Sequence, residues 1–222
     1  MTLAEIKSSV RGLLDDTEFD GDRIREAANW FVYELFNNTR TRLMEESDTI
    51  SASAGDTTAD FPDDLMTRIN IYTTVPSVYE MNNNYVEYGD FMKGHANFAS
   101  ATSALARIWT DFGNKMRFAQ PLSVAHTFQI DYLREPVAMV ADSDECEVPD
   151  RYSELVSKGT LVRVMEMNED YLEAAQERSN LEPLVTAFIR NEARGGGKTG
   201  PTIIRTNRGR RYSDHSVRRM GE

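Results

Sequence analysis

The sequence predicts an α+β fold: an α-helical bundle from the N- and C-terminal helices, an inserted antiparallel β lobe, and an extended C-terminal arm. Three observations carry that prediction. Apolar residues recur at helical spacing near both ends of the 222-residue chain. Between those ends the period shortens to two, and Gly, Pro and Asn turns punctuate it. After residue 193 periodicity stops and the composition turns basic. The predicted boundaries place 1–46 and 150–193 in the bundle, 47–149 in the β-rich lobe and 194–222 in the arm.

The first helix covers 3–15, with Leu3, Ile6, Val10, Leu13 and Leu14 at helical spacing. Thr2 is its N-cap, and Glu5 three residues later completes a capping box. The segment DDTEFDGD breaks it. A longer helix over 21–46 lines one face with Ile24, Ala27, Ala28, Phe31, Leu35 and Thr39, with Trp30 and Phe36 beside it. A short connection between two such helices predicts an antiparallel pair.

At Ser47 the pattern alternates. TISASAGDTTADFP reads as a small hairpin around a Gly-Asp turn. TRINIYTTV, 67–75, is a strand with Ile69, Ile71 and Thr73 on one side, stopped by Pro76. Residues 79–103 are polar with scattered aromatics and read as strand and loop with one helical turn. ALARIWT and KMRFAQP flank Gly113-Asn114 as a hairpin. AHTFQIDYLREP adds a strand that puts Phe128, Ile130 and Tyr132 on a common face.

After Pro149 the helical period returns. Tyr152, Leu155, Val156, Leu161, Val162 and Met165 form a buried stripe continuing to Leu172. A short final helix spans 182–193 with Leu184, Val185 and Phe188 inward and Pro183 in its first turn, where a missing N–H costs nothing. Gly195, Gly196 and Gly197 then read as a hinge. The tail beyond cannot bury enough apolar area to offset its ordering entropy, so it is expected to order only against a partner.

Composition removes several function classes. One cysteine, Cys146, leaves no internal disulfide framework or multi-cysteine zinc site. No apolar run approaches the roughly 20 residues that span a bilayer, and the opening MTLAEIKSSVRGLLDD lacks the pattern of a secretion signal. Asp16, Glu18, Asp20 and Gly21 echo a calcium loop, but position 12 is Ala27 where a bidentate Glu is needed. GGGKTG echoes a phosphate loop, but Glu192 stands where the Walker spacing needs Gly. His95, His126 and His215 have no nucleophile at a recognisable spacing. Glu145 and Glu147 flank Cys146 and disfavour a thiolate. No catalytic residue, cofactor or metal is expected, and the protein reads as not an enzyme.

The charge is split. Overall the chain carries 25 Lys+Arg against 36 Asp+Glu, a net −11. From Arg194 to Glu222 eight Lys and Arg face only Asp214 and Glu222, a net +6, which leaves −17 on residues 1–193. A basic tail on an acidic body seeks an acidic partner. Thr202-Ile203-Ile204-Arg205-Thr206 alternates like a strand that can join a partner's sheet edge. A protein anchor is therefore favoured over a nucleic-acid arm, which stands as the alternative: a nucleic-acid-binding regulatory protein using the tail. The aromatics at Tyr79, Tyr85, Tyr88, Phe91 and Phe98 could stack single-stranded bases, but their acidic setting favours core packing.

In sequence order these elements resemble the head-to-tail adaptor (connector) proteins of tailed bacteriophages, especially short-tailed ones. The first helices through Asp20, Ile24 and AANWFVYEL look like that family's helix pair. FPDDLMTRINIY, the IWTDFGNKMRFAQP hairpin with its following strand, and VPDRYSELVSKGTLVRVMEMNEDYLEAA look like its next elements. The stretch 79–103 has no counterpart. The resemblance implies a virion structural protein of the neck or tail, assembled in the host cytoplasm. It implies a homo-oligomeric ring of twelve copies beneath the portal protein, docking a downstream nozzle or tail-tube protein, with tail fibres as a further partner. Genome DNA would pass through the bore without specific binding, and no membrane is involved. Portal contacts would be Thr202, Ile203, Ile204, Arg205, Thr206, Arg208, Arg210 and Arg211 on the arm.

Overall fold

A computed structural model describes residues 1–95 and 102–192 and has the expected α+β class. Helix α1 spans Leu3–Leu14. Its capping box is formed: the Thr2 N–H donates to the Glu5 carboxylate at 2.8 Å, and the Glu5 N–H donates to Thr2 Oγ1 at 3.3 Å. Left-handed Asp15 (φ 52°) ends the helix. The Arg11 guanidinium then ties down the connection by donating to the Phe19 carbonyl at 3.0 and 2.8 Å. Asp20 caps helix α2, Gly21–Thr39, through the Asp22 N–H at 2.9 Å.

Helix α2 ends at Thr39 rather than at 46. Asn37, Asn38 and Thr39 are weak helix formers, and Arg40 adopts a left-handed cap (φ 45°). A 3-10 turn, Arg42–Met44, leads directly into strand β1, Glu45–Ala52. The small hairpin expected over the next residues is also overturned. Its turn exists, with Gly55 at φ 94° and the Ser53 N–H donating to the Asp56 carboxylate at 2.6 Å. Its arms, however, join different sheets. Strand β1 pairs with strand β7, His126–Arg134, while β2, Thr58–Asp60, pairs with β6, Lys115–Phe118. Burying Ile50 and Ala52 against the β lobe's core outweighs closing a local ladder.

Strand β3, Leu65–Val75, carries the expected TRINIYTTV and buries Ile71 and Thr73. Residues 79–95 hold strand β4, Tyr79–Glu80, a 3-10 turn Asn82–Asn84 and helix α3, Tyr88–His95, which is longer than the single turn expected. The predicted hairpin is present but shorter: β5, Trp109–Asp111, meets β6 across Gly113 (φ 62°) and Asn114 (φ 57°). Two antiparallel sheets result, ordered β1-β7-β3-β4 and β2-β6-β5. Strand β7 is central in the first and buries Phe128, Ile130 and Tyr132 as predicted. In register, Phe128 faces Ile50 on one side and Thr73 on the other.

Two helices close the described chain: α4, Ser153–Met167, and α5, Tyr171–Glu192. The buried stripe does not reach Leu172, which is 86% exposed, because Asn168 caps α4 and Glu169 turns left-handed (φ 68°). Helix α5 is continuous through Pro183, which was expected in a first turn. The proline removes the N–H that the Ser179 carbonyl would receive, and both residues lie on an exposed face open to solvent.

Burial follows two clusters. One joins Leu3, Ile6 and Val10 of α1 to α2, to Val156 and Val162 of α4 and to Phe188 of α5, and takes in Met139, Cys146 and Val148 from the preceding loop. The other surrounds Trp109 within the β lobe, with Phe61, Ile71, Met116, Phe128 and Ile130.

Candidate functional site

The predicted arm contacts (Thr202–Thr206, Arg208, Arg210 and Arg211) and the hinge Gly195–Gly197 lie outside the described residues. What the structure describes is the end of α5, just before that segment. Glu192, the last residue of α5, is buried at 9% exposure. Its carboxylate accepts from the Tyr152 hydroxyl at 2.8 Å and is ion-paired with Arg151. Tyr152 in turn meets the Phe188 ring edge-on at 5.0 Å, and Phe188 meets Phe36 of α2 at 6.2 Å. A chain of packed rings therefore connects the last turn of α5 to the bundle core. The same Glu192 that breaks the Walker spacing is the residue that locks this end.

A second constellation lies on the bundle surface. Trp30 of α2 is 53% exposed, and the Arg163 guanidinium of α4 sits 3.5 Å from its ring centroid. Arg163 is ion-paired with Glu34 and, at 2.5 Å, with Glu166, which also pairs with Arg178 of α5. Three helices thus hold one exposed indole in a fixed place. Trp, Tyr and Arg are the residue types that anchor protein interfaces, and Tyr33 is exposed on the same helix. The sequence placed Trp30 beside the buried face. Its cationic partner lies 133 positions away, and no local signal gives that distance away.

The remaining candidates resolve into structure. Asp20 is the N-cap of α2, and no cluster of metal-ligating side chains occurs among the described residues. His126 is buried, stacks on Phe128 at 5.7 Å and has Nδ1 2.9 Å from the Val124 carbonyl. Its Nε2 has no hydrogen-bond partner among the described residues. His95 is the last residue of α3, and His215 lies outside the described residues. Burial pushes the Cys146 thiol up, with a smaller push from Glu147 and Asp150. The flanking carboxylates are therefore the lesser cause.

Tyr79, Tyr85 and Phe91 turn inward, whereas Tyr88 stacks at 4.3 Å on Phe112, which is 56% exposed. Tyr85 packs edge-on against Trp109 at 5.1 Å and donates its hydroxyl to Asp111 at 2.8 Å. Burial, then that hydrogen bond, pushes its phenol up. The Tyr79 hydroxyl accepts from the Ala106 N–H at 2.9 Å, and Phe91 is buried. Arg68 covers the Tyr85 and Trp109 rings at 4.7 and 4.6 Å and pairs with Asp111 at 2.9 Å. Tyr79, Tyr85, Phe91 and Trp109 are occupied in packing and offer no stacking platform. Phe98 lies outside the described residues.

Among the described residues no helix is long and apolar enough to cross a membrane. Compared with known families, the chain matches the family model described as SU10 adaptor protein over residues 1–201. No curated protein matches it.

Proposed function

Because the chain belongs to the SU10 adaptor protein family and so has the structural role of a phage adaptor in the virion neck, we propose that it forms a ring beneath the portal protein. Twelve copies make up that ring, which docks a downstream nozzle or tail-tube protein on its far side. Residues 194–222 leave the subunit and grip the portal, with Thr202–Thr206 and Arg208, Arg210 and Arg211 as contacts. The carrying observation is the family match across residues 1–201. The fixed arm root supports it: a strap that transmits load needs a rigid origin, and Glu192 is held by Arg151 and Tyr152.

The energetics fit this reading. An arm that orders only on its partner defers its entropy cost to assembly. Repetition around a ring multiplies weak contacts through effective concentration. The −17 carried by residues 1–193 repels DNA phosphates, which suits a bore through which the genome slides. Ring assembly takes place in the host cytoplasm, and the protein performs no catalysis.

Electron microscopy of the protein mixed with its portal tests the proposal. Rings are expected with the full chain and not with a chain ending at 193. Failure of the full chain to form rings on the portal overturns it. Salt-sensitive DNA binding that disappears with residues 194–222 would favour the regulatory alternative instead.

A further inference from the structure

The four-stranded sheet has a long open edge at β1. Among the described residues the order β1-β7-β3-β4 leaves no strand on the outer side of β1. Every other edge strand is short: β4 has 2 residues, and β2 and β5 have 3 each. Strand β1 has 8, and its first five, Glu45–Thr49, are exposed. The Thr49 N–H donates to the neighbouring Asp48 carboxylate at 2.6 Å, as an amide does when no strand lies beside it. Such an edge is a template for another strand.

Its charge selects which strand. Glu45, Glu46 and Asp48 lie on β1, and Asp131 lies opposite Ser47 on β7. Arg134 pairs with Glu46 at 3.0 Å. Asp131 accepts from Ser47 Oγ at 2.6 Å, and neither it nor Asp48 is ion-paired among the described residues. Two such edges repel one another, whereas a cationic strand is attracted.

This chain carries a segment of that chemistry. Five extended residues span about 17 Å, and Thr202–Thr206 is five residues of strand pattern bearing Arg205, with Arg208, Arg210 and Arg211 close behind. Nine residues separate it from the end of α5, a tether of about 30 Å when extended. We propose that the β1 edge of one copy receives Thr202–Thr206 of a neighbouring copy as an added strand. The choice of a neighbour rests on the ring reading, since a strand passed head to tail links each copy to the next and closes when the rotation allows. It refines the portal reading by moving Thr202–Thr206 from the portal onto the neighbouring copy, and leaves the arginine-rich remainder, from Arg208 onward, to grip the portal.

Full-length chains carrying Ser47→Cys and Ile204→Cys separately are mixed with portal under mild oxidation, and the double variant is run alone. Cys146 is buried and stays out of reach. Disulfide-linked heterodimers from the mixture and a ladder of multimers from the double variant are expected. Arg205→Glu should weaken crosslinking about tenfold, and Asp48→Arg on the partner chain should restore it. A chain ending at 206 should still crosslink after losing portal binding. Crosslinks in a preparation that forms no portal ring would support the edge contact and overturn the ring function. Rings without crosslinks would overturn the edge contact alone. A double variant that closes on itself as a monomer also overturns it.

Discussion

Replacing Gly159 with alanine puts a methyl carbon where the Phe31 ring already lies. A Cβ built on Gly159 falls 2.1 Å from Phe31 Cζ, 2.3 Å from Cε2 and 2.4 Å from Cε1. Carbon atoms in contact settle near 3.5–4.0 Å, so the ring must retreat by about 1.5 Å. Phe31 is 6% exposed and belongs to the bundle core. The ring borders a groove of about 230 Å³ lined also by Leu35, Val162, Leu181 and Val185, and moving into it exposes the ring. Overpacking costs roughly 1–3 kcal/mol, here toward the upper end because backbone and ring collide. Alanine returns about 1 kcal/mol of helix propensity. The net is a loss of about 1–2 kcal/mol, or a Tm drop of roughly 2–8 °C for a chain of this size.

Urea and thermal unfolding followed by far-UV circular dichroism read the change. Gly12→Ala is the internal control: Gly12 is an exposed helical glycine of α1 with nothing within 4 Å of its Cβ position. It should gain roughly 0.5–1 kcal/mol. Adding Phe31→Leu to Gly159→Ala should recover part of the loss, leaving the pair less than additive. A Gly159→Ala protein as stable as the parent would refute the packing argument, and with it the close approach of α4 to α2.

Three further outcomes follow from the same geometry. Thr2→Ala removes the Oγ1 that accepts from the Glu5 N–H, leaves the backbone bond to the Glu5 carboxylate in place, and should cost about 1 kcal/mol in urea unfolding, with the loss absent if α1 is not capped as described. Tyr152→Phe deletes the hydroxyl that donates to Glu192 and should cost roughly 1.5–3 kcal/mol and speed amide exchange in the last turn of α5; unchanged exchange there would remove the case for a rigid arm root. Burial raises the Cys146 thiol, so the folded state holds its proton after the unfolded state has released it. The stability this provides is complete below about pH 8.5 and falls as pH rises through the folded value. The native thiol should resist a thiol reagent at pH 8 and react on unfolding, whereas prompt native labelling would contradict the burial.

The bundle and the β5–β6 hairpin were legible because their signals are local. The Thr2 and Glu5 caps, the α2 stripe and the Gly113-Asn114 turn each lie within a few residues of what they control. What escaped depends on distant partners. The alternation around Ile50 shows a strand but not that its partner is Phe128 in β7 rather than a neighbour across Gly55. Pro183 breaks a helix only where the orphaned carbonyl cannot reach water, and the exposure of Ser179 is a property of the assembled bundle. The root at Glu192 depends on Arg151 and Tyr152, some 40 residues earlier. The arm's proposed contacts were legible only as composition and alternation, which name a chemistry but not a surface.

Sheet edges pair promiscuously unless something bars them. In β1 the bar is charge, since Asp48 and the cross-strand Asp131 face any second copy of the same edge with like sign. The same carboxylates remove the bar for one class of strand, a cationic one, and the C-terminal segment of this chain supplies it with a net +6. One electrostatic pattern would therefore prevent edge-to-edge aggregation and direct head-to-tail linkage. The two effects depend on salt in opposite ways. Screening above a few hundred millimolar, where the Debye length falls to a few ångströms, should loosen arm-dependent association while making edge-to-edge aggregation easier. Light scattering of the full chain and of a chain ending at 193, over a salt series, separates them. If the full chain associates more tightly as salt rises while the truncated chain is unaffected, apolar contacts rather than charge hold the strand, and the assignment of the acidic edge as selector fails.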